Sequence, residues 1–386
     1  MAQNRAVSQK RVRILQLMEA WMNHQGQILQ IRTVVTLPIV VHIVWKEEEE
    51  NISEAQILSQ IEALNEDFRA MNENLGIVPE EFQPLIADVE IEFCLAETDP
   101  QGNASSGITR THTSQNFVGT AIANGARTIF FSDNGGKDAW PTDRYINIWV
   151  GRREFALGAA TFPGQASAET DGIVIDPYYF GRTGLATESF PFHLGKTLSH
   201  EMGHYFGLSH LNGPGANSDC TEDDGIEDTP LQSGTYIGEC PIHPMESCGS
   251  NDMFMNIMSL TNDECLAMFT PGQKMFVMAT LNTARSGLLN DISCIPTSSG
   301  EIDTQKIVFE IMPNPAGDYL SILPNPDYSA DGMLFLFNSA GSLLLKKQVS
   351  SQTGVNIDIH SVDPGLYFVS LFINNKKLTK KLIIAP

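Results

Sequence analysis

The pattern of apolar and polar positions divides the chain into two textures. In the first, helical spacing alternates with short apolar runs. Leu15, Leu17, Met18, Trp21 and Met22 recur at helical spacing near the start. A strand is predicted over 39–44, inside an apolar run (37–45) that is too short to span a bilayer and reads as buried. The acidic stretch 47–50 then makes a solvated turn. Residues 53–72 predict a helix, with Ser53 as N-cap and Ile57, Ile61, Leu64 and Phe68 on one face. Strands follow at 89–94, at 145–150 (with Ile146, Ile148 and Val150 alternating) and at 173–175. A helix bearing a cluster of histidines comes next.

The second texture begins after Cys294. Residues 295–303, rich in Ser, Gly and Pro, read as a linker. Beyond 304, short alternating strands at 320–323, 333–337, 342–347, 355–359, 366–373 and 378–384 are separated by Pro, Gly, Asn and Asp turns. That spacing predicts a small all-β sandwich. His360 stands alone there and is expected at the surface.

Length and charge narrow the class. At 386 residues the chain has room for two or three domains. A formal net charge of −22 argues against a nucleic-acid binder and against a polybasic membrane-surface protein. Residues 1–13 are polar and basic with no signal-like apolar stretch after them, so either the chain is cytosolic or its natural signal has been removed. The six cysteines (Cys94, Cys220, Cys240, Cys248, Cys265 and Cys294) form no CxxC pair. An even number suits disulfides and an oxidising compartment, with many pairings open from spacing alone.

The chemistry concentrates in His200-Glu-Met-Gly-His204-Tyr-Phe-Gly207-Leu-Ser-His210. Residues four apart share a helix face, so His200 and His204 can direct imidazole nitrogens at one zinc ion. Glu201, offset by one, falls outside that ligand row but can reach water beside the metal and act as general base. Gly207 can take positive φ, end the helix and bring His210 round as third ligand. Leu198 and Phe206 are expected to supply the apolar face.

With these residues the chain resembles the pappalysin-type metzincins, in their cytophagalysin-like branch. The resemblance runs from about residue 33 to 294. It is carried also by Leu-Pro-Ile-Val-Val-His-Ile-Val (37–44), Gln-Ile-Glu-Ala-Leu-Asn-Glu-Asp-Phe (60–68) and Ile-Glu-Phe-Cys-Leu-Ala (91–96). Gly-Ile-Thr-Arg (107–110), Thr-Phe-Pro-Gly (161–164), Asp-Thr-Pro (228–230) and Phe-Thr-Pro-Gly-Gln (269–273) complete the set. It implies an α+β catalytic domain over 33–294 that hydrolyses peptide bonds, with Met258 in a Met-turn beneath the metal. It implies that Asp263 lines the pocket for the residue after the cut bond and selects Arg, then Lys. Leu157, Gly158, Ala159 and Ala160 match the rim strand that aligns substrate. The acidic loop 219–229 resembles a calcium site, with Asp224, Glu227 (through its backbone carbonyl) and Thr229 as ligands and Asp228 as a nearby alternative. The family pairing joins Cys220 to Cys248 and Cys240 to Cys265, leaving Cys94 for Cys294. One departure stands out: two residues past the methionine the family usually has a tyrosine that stabilises the developing oxyanion, and this chain has Leu260.

The ends carry resemblances of their own. Pro-Asn-Pro-Ala-Gly-Asp (313–318), Pro-Gly-Leu-Tyr (364–367) and Lys-Lys-Leu-Ile-Ile (380–384) are similar to the C-terminal sorting domain of type IX secretion. Residues 304–386 are thus expected to form an immunoglobulin-like sandwich that engages the secretion machinery, with the protein secreted or held at the cell surface. Residues 1–32 resemble a short propeptide, released by cleavage near 30–33. Within this chain no cysteine precedes Cys94, so a propeptide thiol on the zinc is not expected. The expected partners are protein or peptide substrates, with no nucleic acid and no transmembrane segment. The rival reading is a secreted binding protein on a catalytically impaired protease fold, which Leu260 favours and the intact His200, Glu201, His204 and His210 oppose. A hydrolase of a non-peptide bond is a third, weakly disfavoured by Asp263.

Overall fold

A computed structural model describes residues 34–123, 126–213 and 220–289, together with residue 16 and most of 310–384. The expected early helix, the propeptide with its cleavage region, the linker and Cys294 lie outside the described residues. The chain divides into two compact units, Met1–Ser298 and Ser299–Pro386.

The first unit is built on a six-stranded sheet whose long central strand is β1 (Val35–Trp45). Its run of Leu, Ile and Val has no polar alternation because a parallel strand in mid-sheet is covered on both faces. β2 (Ile91–Leu95) and β3 (Ile108–His112) pair parallel with successive halves of β1. Two short strands, β4 (Ile122–Ala123) and β5 (Ala126–Arg127), make a side hairpin. β6 (Ile146–Val150) is also parallel to β1, and β8 (Ile173–Ile175) is parallel to β6. Only β7 (Gly158–Ala160) runs antiparallel, at the end of the strand order beyond β8. Helices and strands thus mix along a mostly parallel sheet.

α1 (Glu54–Phe68) starts where expected: Ser53 accepts the Gln56 N–H at 3.2 Å. It ends four residues early. Ala70 sits at φ +49°, which a right-handed helix cannot include, and the Met71 N–H returns to the Glu66 carbonyl as a wrapped C-terminus. Ile57, Ile61, Leu64 and Phe68 face the main core as the spacing predicts. Gln56, Gln60 and Asp67 are buried as well, and the polar pattern did not announce this. α2 (Lys196–Tyr205) and α3 (Pro271–Asn282) complete the unit, after a small hairpin of β9 (Glu246–Ser247) and β10 (Ser250–Asn251). Among the described residues no helix is long and apolar enough to cross a membrane.

The second unit holds two antiparallel sheets. One is β11 (Glu310–Met312), β12 (Tyr319–Leu323) and β15 (Val355–Asp358). The other orders β14 (Leu343–Val349), β13 (Gly332–Asn338), β16 (Gly365–Ile373) and β17 (Lys376–Ile384). Leu320 and Ile357 of the first share one core with Leu334, Leu336, Val369 and Leu382 of the second. β11 was not foreseen. His360 is exposed.

Candidate active site

The site is assembled on α2, and α1 sets where α2 begins. Gln60 donates its amide to the Gly195 carbonyl at 2.9 Å and accepts the Gly181 N–H at 2.6 Å. Gly195, at φ +78°, is the residue before α2, and a Cβ there would lie 2.9 Å from Ala63. The helix C-terminus follows the expected route. Gly207 at φ +98° closes the last turn on the His204 carbonyl, and the Leu208 N–H reaches the Gly203 carbonyl at 3.0 Å.

The turn brings three imidazoles together. His210 Nε2 lies 3.0 Å from both His200 Nε2 and His204 Nε2. The outer nitrogens face carbonyls: His200 Nδ1 is 2.8 Å from the Ile257 oxygen, and His204 Nδ1 is 2.7 Å from the Leu208 oxygen. A proton on each Nδ1 leaves the Nε2 lone pairs converging on one point. Burial, then mutual repulsion, lowers the proton affinity of His200 and His204, the latter to about 4, and burial lowers that of His210. Three neutral nitrogens aimed at one point fit a zinc ion and leave a fourth position open.

Two close approaches shape this centre. A Cβ at Gly203 would fall 2.3 Å from Met258 Sδ, so the glycine makes room for the buried methionine on the histidine side of the helix. Met258 is held by its N–H to Asn256 Oδ1 at 2.9 Å, and Asn256 is clasped by Gln273, the capping-box residue of α3. A Cβ at Gly158 would fall 2.9 Å from Glu201 Oε1, placing β7 directly against that carboxylate. Burial pushes Glu201 up to about 7, offset in part by the Arg153 guanidinium and the Ala160 N–H.

A cleft of about 380 Å³ runs past these groups, lined by Leu157, Gly158, His200, Glu201, His210, Leu260 and Asp263 among others. Asp263 is 1% exposed and accepts the Leu194 N–H at 2.7 Å through Oδ2. Burial raises its carboxyl to about 7. Leu260 lines the cleft, and its carbonyl takes the Tyr236 N–H at 2.7 Å. The Tyr236 hydroxyl is turned to Asp252 Oδ2 at 2.6 Å, and no tyrosine lines the cleft among the described residues.

The remaining expected groups fall elsewhere. Asp224 Oδ1 lies 2.8 Å from the Thr229 hydroxyl and accepts the Ile226 N–H, while Oδ2 is buried without a partner. Burial raises this carboxyl to about 7. Glu227 is exposed. Asp228, the alternative ligand, instead caps α3: it accepts from the Thr270 hydroxyl at 2.6 Å and the Gly272 N–H at 2.7 Å. Disulfides join Cys220 to Cys248 and Cys240 to Cys265, with Cα atoms 5.4 and 5.7 Å apart. The expected Cys94–Cys294 pair reaches outside the described residues. Sequence reasoning missed Gly158 and Gly203 as spacers and Asn256–Gln273 as a clasp. Of these only the Thr-Pro-Gly-Gln cap was signalled, by its capping-box spacing.

Comparison with known proteins gives the family of the chain. A sequence model described as pregnancy-associated plasma protein-A matches residues 131–282, and one described as a secretion system C-terminal sorting domain matches residues 310–385. Mature mirolysin of Tannerella forsythia, solved in complex with a cleaved peptide, is 39% identical with a TM-score of 0.61; the match covers 68% of this chain and 97% of that one. A mutant of promirolysin from the same organism is 38% identical with a TM-score of 0.62, covering 74% of this chain and 94% of that one. An extracellular metalloprotease of Pyricularia oryzae is 27% identical over 283 residues, 71% of this chain and 84% of the relative.

Proposed function

The chain belongs to the pappalysin family, that of pregnancy-associated plasma protein-A, and is a metalloendopeptidase; on that premise we propose that it holds zinc with His200, His204 and His210 and cuts before Arg or Lys with Glu201 as general base. The observation that carries this reading is the convergence of three Nε2 atoms beside a buried carboxylate in an open cleft. When bound, zinc supplies Lewis acidity, polarising a carbonyl and acidifying water.

The chain's own groups do the rest. Glu201, with its proton affinity raised to about 7, takes a proton from water and hands it to the leaving amine. The outer edge of β7 accepts an extended peptide as an added strand. Asp263 Oδ1 receives no donor from the chain among the described residues, and there it meets the substrate cation. Leu260, which lines the cleft, offers no hydroxyl to a developing oxyanion. The buried, partnerless Asp224 Oδ2 supports calcium in the loop beside Thr229.

The paired disulfides, the sorting-domain match and the extracellular relatives support a secreted or cell-surface enzyme. The second unit reads as an immunoglobulin-like sandwich addressed to the type IX machinery, after a catalytic domain at 33–294 and a linker at 295–303. By likeness to promirolysin, 1–32 is read as a propeptide.

Purified protein and its Glu201→Ala variant, given a fluorogenic peptide library, test the proposal. Chelator-sensitive cuts before Arg or Lys, absent in the variant, are expected. Cuts elsewhere would remove the Asp263 assignment. No cleavage after trimming 1–32 and adding zinc and calcium would favour the binding-protein reading that rests on Leu260.

A further inference from the structure

Behind one end of the cleft two carboxyl groups, Asp67 and Asp263, share the neighbourhood of a single ammonium, that of Lys196. Lys196 Nζ donates to Asp67 Oδ1 at 2.5 Å, and the Ser199 hydroxyl donates to Asp67 Oδ2 at 2.6 Å. Asp67, Lys196 and Asp263 are all at most 2% exposed. Lys196 also lines the cleft beside Asp263, and its backbone N–H lies 3.4 Å from Asp263 Oδ2. The lysine whose backbone N–H faces Asp263 thus has its ammonium ion-paired with a different carboxylate, brought from α1 across 129 residues of sequence. Buried ion pairs are weak sources of stability, because desolvation offsets most of their attraction. Stability alone therefore gives little reason for placing one here.

We propose that Asp67 is a positioning residue for substrate selection: by holding the Lys196 ammonium, it leaves the Asp263 carboxylate un-neutralised, so that an Arg or Lys side chain after the cut bond supplies the missing cation. This rests on the reading of Asp263 as the floor of the pocket for that side chain. With Asp67 and Lys196 paired, Asp263 is the carboxyl of the cluster left without a cation of its own. Without the Asp67 charge, Lys196 is free to balance Asp263, and an incoming guanidinium would find no unpaired counter-charge there. Ser199 serves the same end by occupying the second Asp67 oxygen.

The test uses the full chain loaded with zinc and two peptides that differ only in Arg or its neutral isostere citrulline after the cut bond. The readout is the ratio of kcat/KM for the two peptides. Because both are measured on one preparation, partial loss of fold cancels. Asp67→Asn is expected to lower the ratio by about tenfold or more, the scale of one desolvated charge pair a few ångströms apart. The double variant Asp67→Asn/Lys196→Met, which leaves Asp263 as the only charge of the three, is expected to recover most of the wild-type ratio. A merely structural role would slow both peptides alike and would not be rescued by removing Lys196. An unchanged ratio in Asp67→Asn, or a lowered one that the double variant fails to raise, overturns the inference while leaving the Asp263 reading intact. If Asp67→Asn does not fold, the double variant decides alone, a collapsed ratio counting against the inference. A wild-type enzyme indifferent to arginine and citrulline removes the Asp263 reading and this inference with it.

Discussion

Replacing Gly158 by alanine isolates the placement of Glu201 from the stability of the fold. Gly158 is not in the left-handed region, so alanine strains no backbone there. Its methyl group would lie 2.8 Å from Glu201 Cγ, 2.9 Å from Glu201 Oε1 and 2.7 Å from Ile175 Cδ1. Ordinary carbon contacts start at about 3.5 Å, so each neighbour must retreat by roughly 0.7 Å. The atoms that must move are side-chain atoms of Ile175 and Glu201, and their retreat costs little, about 1 kcal/mol or a few degrees in Tm. The moved Glu201, however, is the proposed proton carrier. A displacement approaching 1 Å at a reacting group costs on the order of a hundredfold in rate. Stopped-time assays on a fluorogenic arginyl peptide should therefore show kcat falling by about two decades with KM changed less than about threefold. Differential scanning fluorimetry should show a nearly unchanged transition. Wild-type kcat in Gly158→Ala would refute the claim that β7 positions this carboxylate, and a collapsed Tm would show that the site yields less easily than its geometry implies.

Two further outcomes follow from buried titratable groups. Calcium should raise the Tm of the wild type and not that of Asp224→Asn, because the partnerless Oδ2 is the oxygen assigned to the ion; an equal rise in both by scanning fluorimetry would remove the site. His42 is held in β1 between Thr109 and Asn147, and burial lowers its proton affinity to about 4. Its unfolded form binds a proton from about pH 6.5 downward, so its contribution is intact above that and lost as pH falls toward 4, by about 2 kcal/mol at pH 5. Buried carboxyls raised to about 7, such as Asp263, act in the opposite direction. The measurement is therefore a difference: the stability gap in urea between wild type and His42→Gln should shrink by that amount from pH 7 to pH 5, and a constant gap would contradict it.

The proposed zinc centre was legible because its information is local. Three histidines, a glutamate and the turning Gly207 lie within one helix and its C-cap, and the 3.6-residue period and the conformational freedom of glycine settle their arrangement. β1 was legible from an apolar run interrupted within 37–45 only by His42, and α1 from Ser53 and its apolar stripe. What the pattern concealed was polar and long-range. Gln60 and Asp67 flank the apolar stripe of α1, but their polar side chains gave no sign that they would be buried against Gly195 and Lys196 far along the chain. Side-chain pairing over such separations leaves no mark in spacing. The helix end at Phe68 was hidden because the residue that turns left-handed is Ala70 and not a glycine. β7 is three residues of Gly and Ala, too small for alternation to show; only resemblance pointed to it. Glycines that serve as spacers, Gly158 and Gly203, look in sequence like any others, since what excludes a side chain is a neighbour supplied by another element.

The two disulfides interleave: in chain order the half-cystines run 220, 240, 248 and 265, the first bonded to the third and the second to the fourth. Every peptide bond between Cys220 and Cys265 is therefore spanned by at least one covalent bridge. An endopeptidase at high local concentration is exposed to its own copies, and surface loops are where such nicking begins. Here a single cut anywhere in that stretch, which includes the Asp224 loop, Met258 and Asp263, would leave both new ends tethered. This wall of the cleft is thus built so that being cut once does not release it.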